Sequence, residues 1–517
     1  MIDRRSLLVA TAALGRNLWG QQQQQPESAP ALPDILLITC GNLGPHLGCY
    51  GYSSVSTPAI DAFAAGATRY DRAYAASSIP AVSRAGLETG MWPVSTGMHL
   101  DGRAVLPDFI KRLPDYLKAA GYAVVAPSTK PTFTWRRLDA VSPARIRLRD
   151  ASYDRVVKAL KPDQRGRGAE VELPQHFEDN DENRLDWAHY HELIGLLDMQ
   201  FAARLKEAKP GTVVIFASEY GFALEEGNSA VYETGTRVPL LIRMPGQTQG
   251  AVSQRLVSLI DIVPTLLQLA GVRAPAFMQG QALSAPQQRR FTYASMDRVR
   301  DRYEFARAVR DARYRYVRNY TKGTEELYDT QADPNEVQDI AKTEPTVVTR
   351  MREQLERWRA EVRDLGLMPD AELAIREAQF RTRYAVGRTP EFATLQTKLT
   401  ELVPSTSLDK IYQAFAEEES ALRYWACVKG KDTNRREIER LLRDNSGAVR
   451  VAAAQALGNH KALVRELRSP EEWVRYLALL ALETDAVSAK AAIEAMSKVE
   501  KNRTVAAAAA RILKGMS

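Results

Sequence analysis

Three short apolar blocks constrain the fold of this chain most. PDILLITC from Pro33, GTVVIFAS over Gly211–Ser218 and VPLLIRM over Val238–Met244 are runs of large or β-branched residues closed off by Pro, Gly or polar positions. Strands buried on both faces of a sheet have this composition, because neither side of the pleat meets water. Tyr122–Ala126 (YAVVA) has the same character. Segments of helical spacing separate the blocks. Thr57–Ala65 carries Pro58 in its first turn, Leu113–Ala120 is ended by Gly121, and His189–Glu207 repeats apolar residues at helical intervals. Buried strands alternating with amphipathic helices predict an α/β fold, a mostly parallel sheet covered on both faces. Leu256–Leu269 (LVSLIDIVPTLLQL) is predicted as one further helix.

Past Arg290 the texture changes. Tyr303–Tyr320 is rich in Tyr, Arg and Val with partial alternation, which predicts antiparallel strands of a smaller subdomain. Glu326–Glu336 is turn-rich, and a helix follows over Pro345–Leu365. Residues 366–405 are charged and poorly periodic, as expected of a connector. From residue 408 the chain repeats itself. LRYWA at Leu422, VRVAA at Val449 and VRYLA at Val474 recur with their arginines 27 and 25 residues apart, and a weaker copy lies near Arg503–Ala507. The period and the pattern resemble HEAT-type helical repeats, whose units bury their faces only by stacking. The expected organisation is a leader over 1–25, an α/β domain over 33–290, a smaller subdomain over 291–365, the connector over 366–405 and the repeats over 408–517.

Composition excludes several classes. The 517 residues are 45% hydrophobic and 26% charged, ordinary globular values that rule out global disorder and a multispanning membrane protein. The net charge of +7 is spread through mixed-sign segments, so no nucleic-acid partner is expected. Cys40, Cys49 and Cys427 are too few for a disulfide framework or a Cys₄ zinc site, and the first two are expected in the core. At the amino terminus, Arg4 and Arg5 precede the apolar run Leu7–Leu14. That run is far too short to span a bilayer. Paired arginines before a brief apolar segment predict an export signal of the twin-arginine type, with no transmembrane span and a periplasmic or extracellular destination.

The motifs together carry a resemblance. PDILLIT, Leu47-Gly48-Cys49-Tyr50-Gly51, Thr57-Pro58-Ala59-Ile60-Asp61, Ser83-Arg84-Ala85 with Thr89-Gly90, Val214–Ser218, Tyr232-Glu233 with Gly235 and Arg237–Leu240, Asp261–Leu266, and Leu327-Tyr328-Asp329 with Asp333-Pro334 and Glu336 resemble the sulfatase family of the alkaline phosphatase superfamily in order and spacing. The resemblance spans about residues 33–365. It implies the family's sheet and a small antiparallel carboxy-terminal subdomain. It also implies an apparatus for cleaving sulfate esters: acidic ligands for a divalent cation, usually calcium, a Cys converted to formylglycine in C-x-P-S-R, and Arg, Lys and His around the sulfate. Hard cations need anionic oxygens, and the covalent step needs an activated nucleophile.

This chain departs from that apparatus. Gly41 and Asn42 stand where the first two Asp belong, and Glu219 and Tyr220 stand for the later Asp and His or Asn. Pro80 occupies the Cys position and Val82 the Pro. Thr129 and Pro131 replace Lys-x-His, with Lys130 between them, and Asn228 replaces a later Lys. Arg84 alone is retained. No catalytic residue is therefore assigned, and neither Ca nor Mg is expected unless the site has been rebuilt.

Other nucleophiles and ligands are few. Ser77, Ser78 and Ser83 lie near the Pro80 position, without a G-x-S-x-G elbow, and are expected as turn or capping serines. His189 and His191 project about 200° apart on a helix and cannot share an ion; they are expected at a partly exposed helix start. His46, in the loop after the first strand, lies where open α/β sheets place ligands. His46, Arg84, Lys130, Glu219 and Asn228 are thus the candidates for a polar ligand pocket. The expected function is an exported binding protein that has lost sulfate-ester hydrolysis and takes an anionic glycan or small anionic ligand in the old cleft, or a protein through its repeats. The alternatives are a sulfate- or phosphate-ester hydrolase with a rebuilt site, and a purely structural scaffold.

Overall fold

The computed structural model describes residues 32–100, 102–124, 130–138, 173–174, 178–222, 231–299, 302–483 and 486–515. The leader and Asn228 lie outside them.

Strand β1 (Ile35–Cys40) is the middle of the large sheet's parallel part. It pairs in parallel with β3 (Phe133–Arg137) on one side and β4 (Val213–Ser218) on the other. Alternate residues of these strands face opposite layers. Leu36, Ile38, Val214 and Phe216 pack with α1 (Pro58–Ala64) and α5 (Asp181–Leu205). Ile35, Leu37, Val213 and Ile215 pack with α4 (Leu113–Ala119) and α7 (Ile262–Leu269). Both faces being dry explains the continuous apolar runs.

The sheet is mixed, with two short strands running against its parallel majority. β6 (Leu240–Arg243) runs antiparallel to β4 and to β2 (Thr68–Tyr74), and β5 (Arg237–Val238) is also antiparallel to β2. β7 (Ala251–Ser258) restores a parallel pairing at β2. The reason lies in the connections. A parallel neighbour needs a crossover, usually through a helix of some length, whereas only the four-residue α6 (Glu233–Thr236) stands between β4 and β5 among the described residues.

Two expectations are corrected here. Leu256–Leu269 is not one helix: β7 occupies its first residues, a 3₁₀ turn (Leu259–Asp261) follows, and α7 begins only at Ile262. Pro264 forbids a helix running back through residue 260, because its ring meets the carbonyl four residues earlier. Within Tyr122–Ala126, Ala123 makes only an isolated bridge to Thr132, and β3 takes the place beside β1.

The second sheet is antiparallel, in the order β11-β10-β9-β8: β8 (Thr292–Val299), β9 (Arg302–Arg310), β10 (Tyr314–Asn319) and β11 (Thr324–Asp329). α8 (Pro345–Val362) packs on it through Met351, Leu355 and Trp358, the last stacked on Tyr293 with ring centroids 4.4 Å apart. The family-like motif residues tie the sheets together. Glu233 accepts from Arg310 (2.6 Å) and Arg315 (2.7 Å), and Arg315 also reaches Glu336 (2.8 Å). Burial alone would raise the Glu233 carboxyl, but the arginines outweigh it and hold it down at about 2.

Residues 366–405 are no connector. They form α9 (Asp370–Phe380), α10 (Arg383–Val386) and α11 (Pro390–Leu402), and bury Leu373, Phe392, Leu395, Leu399 and Leu402. Charge on their outer faces masked a 3-4 spacing of apolar residues. Helical pairs follow: α12 (Leu408–Ala414) leads into α13 (Ser420–Gly430) with α14 (Arg435–Leu441), α15 (Gly447–Ala456) with α16 (His460–Glu466), α17 (Glu472–Leu482) with α18 (Ala486–Ser497), and a last α19 (Arg503–Lys514). The recurring arginine is a staple. Arg423, Arg450 and Arg475 each donate to two backbone carbonyls of the preceding turn, at Glu417 and Glu418, Asp444 and Asn445, and Ser469 and Pro470. Each also forms a two-pronged bond to a carboxylate at the end of its own pair: Asp444, Glu466 and Glu500.

Candidate functional site

Glu219 follows directly on β4, at the edge where β1 also ends. Its amide donates to the Cys40 carbonyl at 2.9 Å. The side chain is 1% exposed, yet every oxygen has partners. Oε1 accepts from the Thr39 hydroxyl (3.0 Å) and Arg137 Nε (2.8 Å). Oε2 accepts from Arg84 Nε (2.9 Å) and Arg137 Nη2 (3.4 Å). Trp135 Nε1 donates to Thr39 Oγ1 at 2.9 Å and fixes that hydroxyl. Ser83 donates to the Glu219 carbonyl at 2.5 Å, locking α2 (Pro80–Thr89) against the strand end. One carboxylate between two guanidiniums leaves this edge with a net charge of +1. The two arginine side chains are 25% and 51% exposed, so they present that charge to solvent.

The four positions where the resemblance implies metal ligands do converge. Leu43 N donates to the Tyr220 carbonyl at 3.3 Å, which draws the Gly41–Asn42 turn against Tyr220. A Cβ on Gly41 would lie 2.5 Å from Tyr220 Cε1, so the tyrosine ring fills the space an acidic side chain at 41 would use. Asn42 is 3% exposed with φ +59°, a left-handed conformation that Asn tolerates better than most residues. Burial, with Glu219 adding to it, pushes the Tyr220 phenol up to about 12, so it stays neutral. These residues do not fit a divalent cation. Glu219 is the one carboxylate of the four, and its oxygens are already engaged by guanidiniums. Among the described residues no three His, Cys, Asp or Glu side chains group as metal ligands.

The rest of the expected pocket is only partly assembled. Pro80 opens α2 at the exposed end of the helix, in the position where proline's missing N–H costs nothing. Lys130 is exposed on the approach to β3, and the cation that reaches Glu219 is Arg137, seven residues on. His46 packs into an aromatic cluster on the α5 side of the sheet. It sits among Tyr52, Trp187, Tyr190 and Phe222, with ring centroids 5.0 to 5.9 Å away, and its Nδ1 lies 3.1 Å from the Tyr190 hydroxyl. Crowding beside Gly44 and the apolar face of α5 holds it there. His189 and His191 lie well inside α5, not at a helix start, and His191 is 2% exposed. Its Nε2 lies 2.7 Å from the Tyr52 hydroxyl, and burial drives its pKa down to about 4. Arg137 escaped the sequence reading. Its signal was a pair of arginines closing a short aromatic strand (FTWRR), in register with Thr39.

Residues 33–162 and 176–272 match the sulfatase family model, and residues 227–361 match the model for the carboxy-terminal part of N-sulphoglucosamine sulphohydrolase. Most of the α/β body is thus similar to the sulfatase family. An ulvan-active sulfatase of Formosa agariphila is 24% identical over 461 residues, covering 66% of this chain and 77% of the relative. Human N-sulphoglucosamine sulphohydrolase is 22% identical over 455 residues, covering 64% and 90%. The solved structure of a 2-O GAG sulfatase superposes with a TM-score of 0.54 at 21% identity, over 64% of this chain and 93% of its own. Among the described residues no helix is long and apolar enough to cross a membrane.

Proposed function

We propose that this sulfatase-fold protein binds an anionic glycan at the edge formed by Arg84 and Arg137, and that it no longer hydrolyses sulfate esters. One observation carries the proposal: both oxygens of Glu219 are held by arginines, so the edge is positive where a cation-dependent hydrolase gathers negative charge. A guanidinium pair whose outer N–H groups have no partner among the described residues suits a sulfate or carboxylate. Pro80 has no nucleophilic atom, and the fixed Tyr220 ring denies the Gly41 position an acid. The names of the similar proteins, acting on ulvan, N-sulphoglucosamine and GAG, support a sulfated-sugar ligand. The amino-terminal twin arginine supports export, and the stapled pairs past residue 408 support a HEAT-type array available to a protein partner.

The test combines turnover and binding. With aryl sulfates or aryl phosphates and excess Ca²⁺ or Mg²⁺, no metal-dependent turnover is expected, and EDTA should leave the thermal midpoint unchanged. Arg137→Gln should weaken binding of a heparin-derived oligosaccharide by about tenfold. Turnover that disappears in Glu219→Ala would overturn the loss of hydrolysis.

A further inference from the structure

A second basic concavity lies apart from the Glu219 edge and shares no residue with it. It is a cavity of about 480 Å³ between the β2–β7 edge of the large sheet, the segment entering β8, the β9–β10 turn and α8. Five arginines line it against one aspartate. Three have carboxylates: Arg289 bonds Asp261 (3.0 Å from Nε), Arg313 bonds Asp329 (2.7 Å), and Arg350 bonds Asp311 (3.0 Å). Among the described residues Arg72 on β2 and Arg290 before β8 have no acidic partner within ion-pair distance, so two positive charges there are uncompensated around the concavity. Phe291, over which Arg290 lies at 5.9 Å, and the exposed Gln288 line the same cavity.

We infer that this cavity is a second anionic-glycan subsite, taking an acidic sugar through Arg72 and Arg290 with Phe291 as its apolar floor. Its volume falls within the ~300–1,000 Å³ usual for small-ligand sites. Guanidiniums match sulfate and carboxylate in two-pronged geometry. Two charges in a hollow do not make the extended basic track that nucleic acid needs. An apolar ring beside polar amides and cations suits a ring that is apolar on one face and charged at its rim.

The experiment is calorimetric titration of the full chain with a heparin-derived hexasaccharide at low salt. Arg72→Ala/Arg290→Ala should weaken one class of binding about tenfold, while the thermal midpoint stays put because neither arginine is part of an ion pair. Arg72→Lys/Arg290→Lys, which keeps the charge but loses the two-pronged guanidinium geometry, should bind between the parent and the double alanine variant. Arg137→Gln tests the Glu219 edge separately, and effects at two independent sites should add. The second subsite is overturned if the double alanine variant binds like the parent whatever Arg137→Gln does, if a neutral hexasaccharide competes equally, or if single-stranded DNA of equal charge binds as tightly.

Discussion

At the scale of single residues, buried ionisable groups stay charged only where partners reach them, and otherwise they give up the charge. Glu219 keeps its partners: a hydroxyl and two guanidiniums occupy both oxygens. Gly41 and Tyr220 are matched in the same way, since no side chain at 41 coexists with the ring where it stands. Regaining a cation site would therefore require changing both positions and freeing Glu219. His191 shows the opposite outcome. Buried against Trp187 with its Nε2 on the Tyr52 hydroxyl, it is held neutral by burial, with its pKa lowered from 6.5 to about 4. As pH falls, the unfolded chain takes up the proton first. The stability tied to neutral His191 is whole above pH 6.5 and drains away toward pH 4. Between pH 7 and pH 4 the parent should lose about 3 kcal/mol more than His191→Gln, read from urea unfolding at each pH.

At the scale of elements, buried charge clusters and close approaches set where segments go. Arg307 bonds Asp364 (2.8 Å) and Asp297 (2.6 Å), and Arg359 bonds Asp364 (2.9 Å), which fastens the end of α8 to the small sheet. Gly366 has to be glycine here: a Cβ would fall 1.8 Å from Arg307 Nη2 and 2.4 Å from Asp297 Oδ1. Gly366→Ala should cost about 3 kcal/mol or more by splitting the cluster. Gly271→Ala, at φ +71° in open space, should cost about 1 kcal/mol. Urea midpoints separate the two. Elements defined by local chemistry were legible in the sequence. The dry strands β1 and β4, the helices opened by Pro58 and Pro345, and the recurring arginine all follow from short-range pattern. What escaped depends on distant partners. β7 looks helical until β2 is known to pair with it, and strand direction follows from connections that local pattern does not encode. Arg137 becomes a site residue only because β3 lies in register with Thr39, and His46 leaves the site because α5 brings an aromatic cage to it.

At the scale of the whole molecule, the small sheet and the carboxy-terminal helices do not have separate cores. Phe305 of the sheet and Tyr320, just past β10, belong to the same apolar cluster as Leu373, Trp425, Leu477 and Ile512. Trp425 donates to the Leu367 carbonyl at 2.9 Å, Arg298 bonds the Tyr476 hydroxyl at 3.2 Å and also Asp370, and Glu372 accepts from the hydroxyls of Ser420 and Ser446. Removing residues 408–517 strips these covers from a face that is dry in the full chain. The truncated protein should bind a hydrophobic dye and aggregate, whereas the full chain should melt in one transition for residues 291–515; a soluble, dye-silent truncation would show that the two parts fold independently. The arginine staples give this tail a further property. Each pair carries both halves of its own fastening, a guanidinium at its entrance and a carboxylate at its exit, while the turn between neighbours serves both. A gene segment encoding one such pair can be copied or lost without leaving a charge stranded, so the tail can change length in whole pairs and in no smaller step.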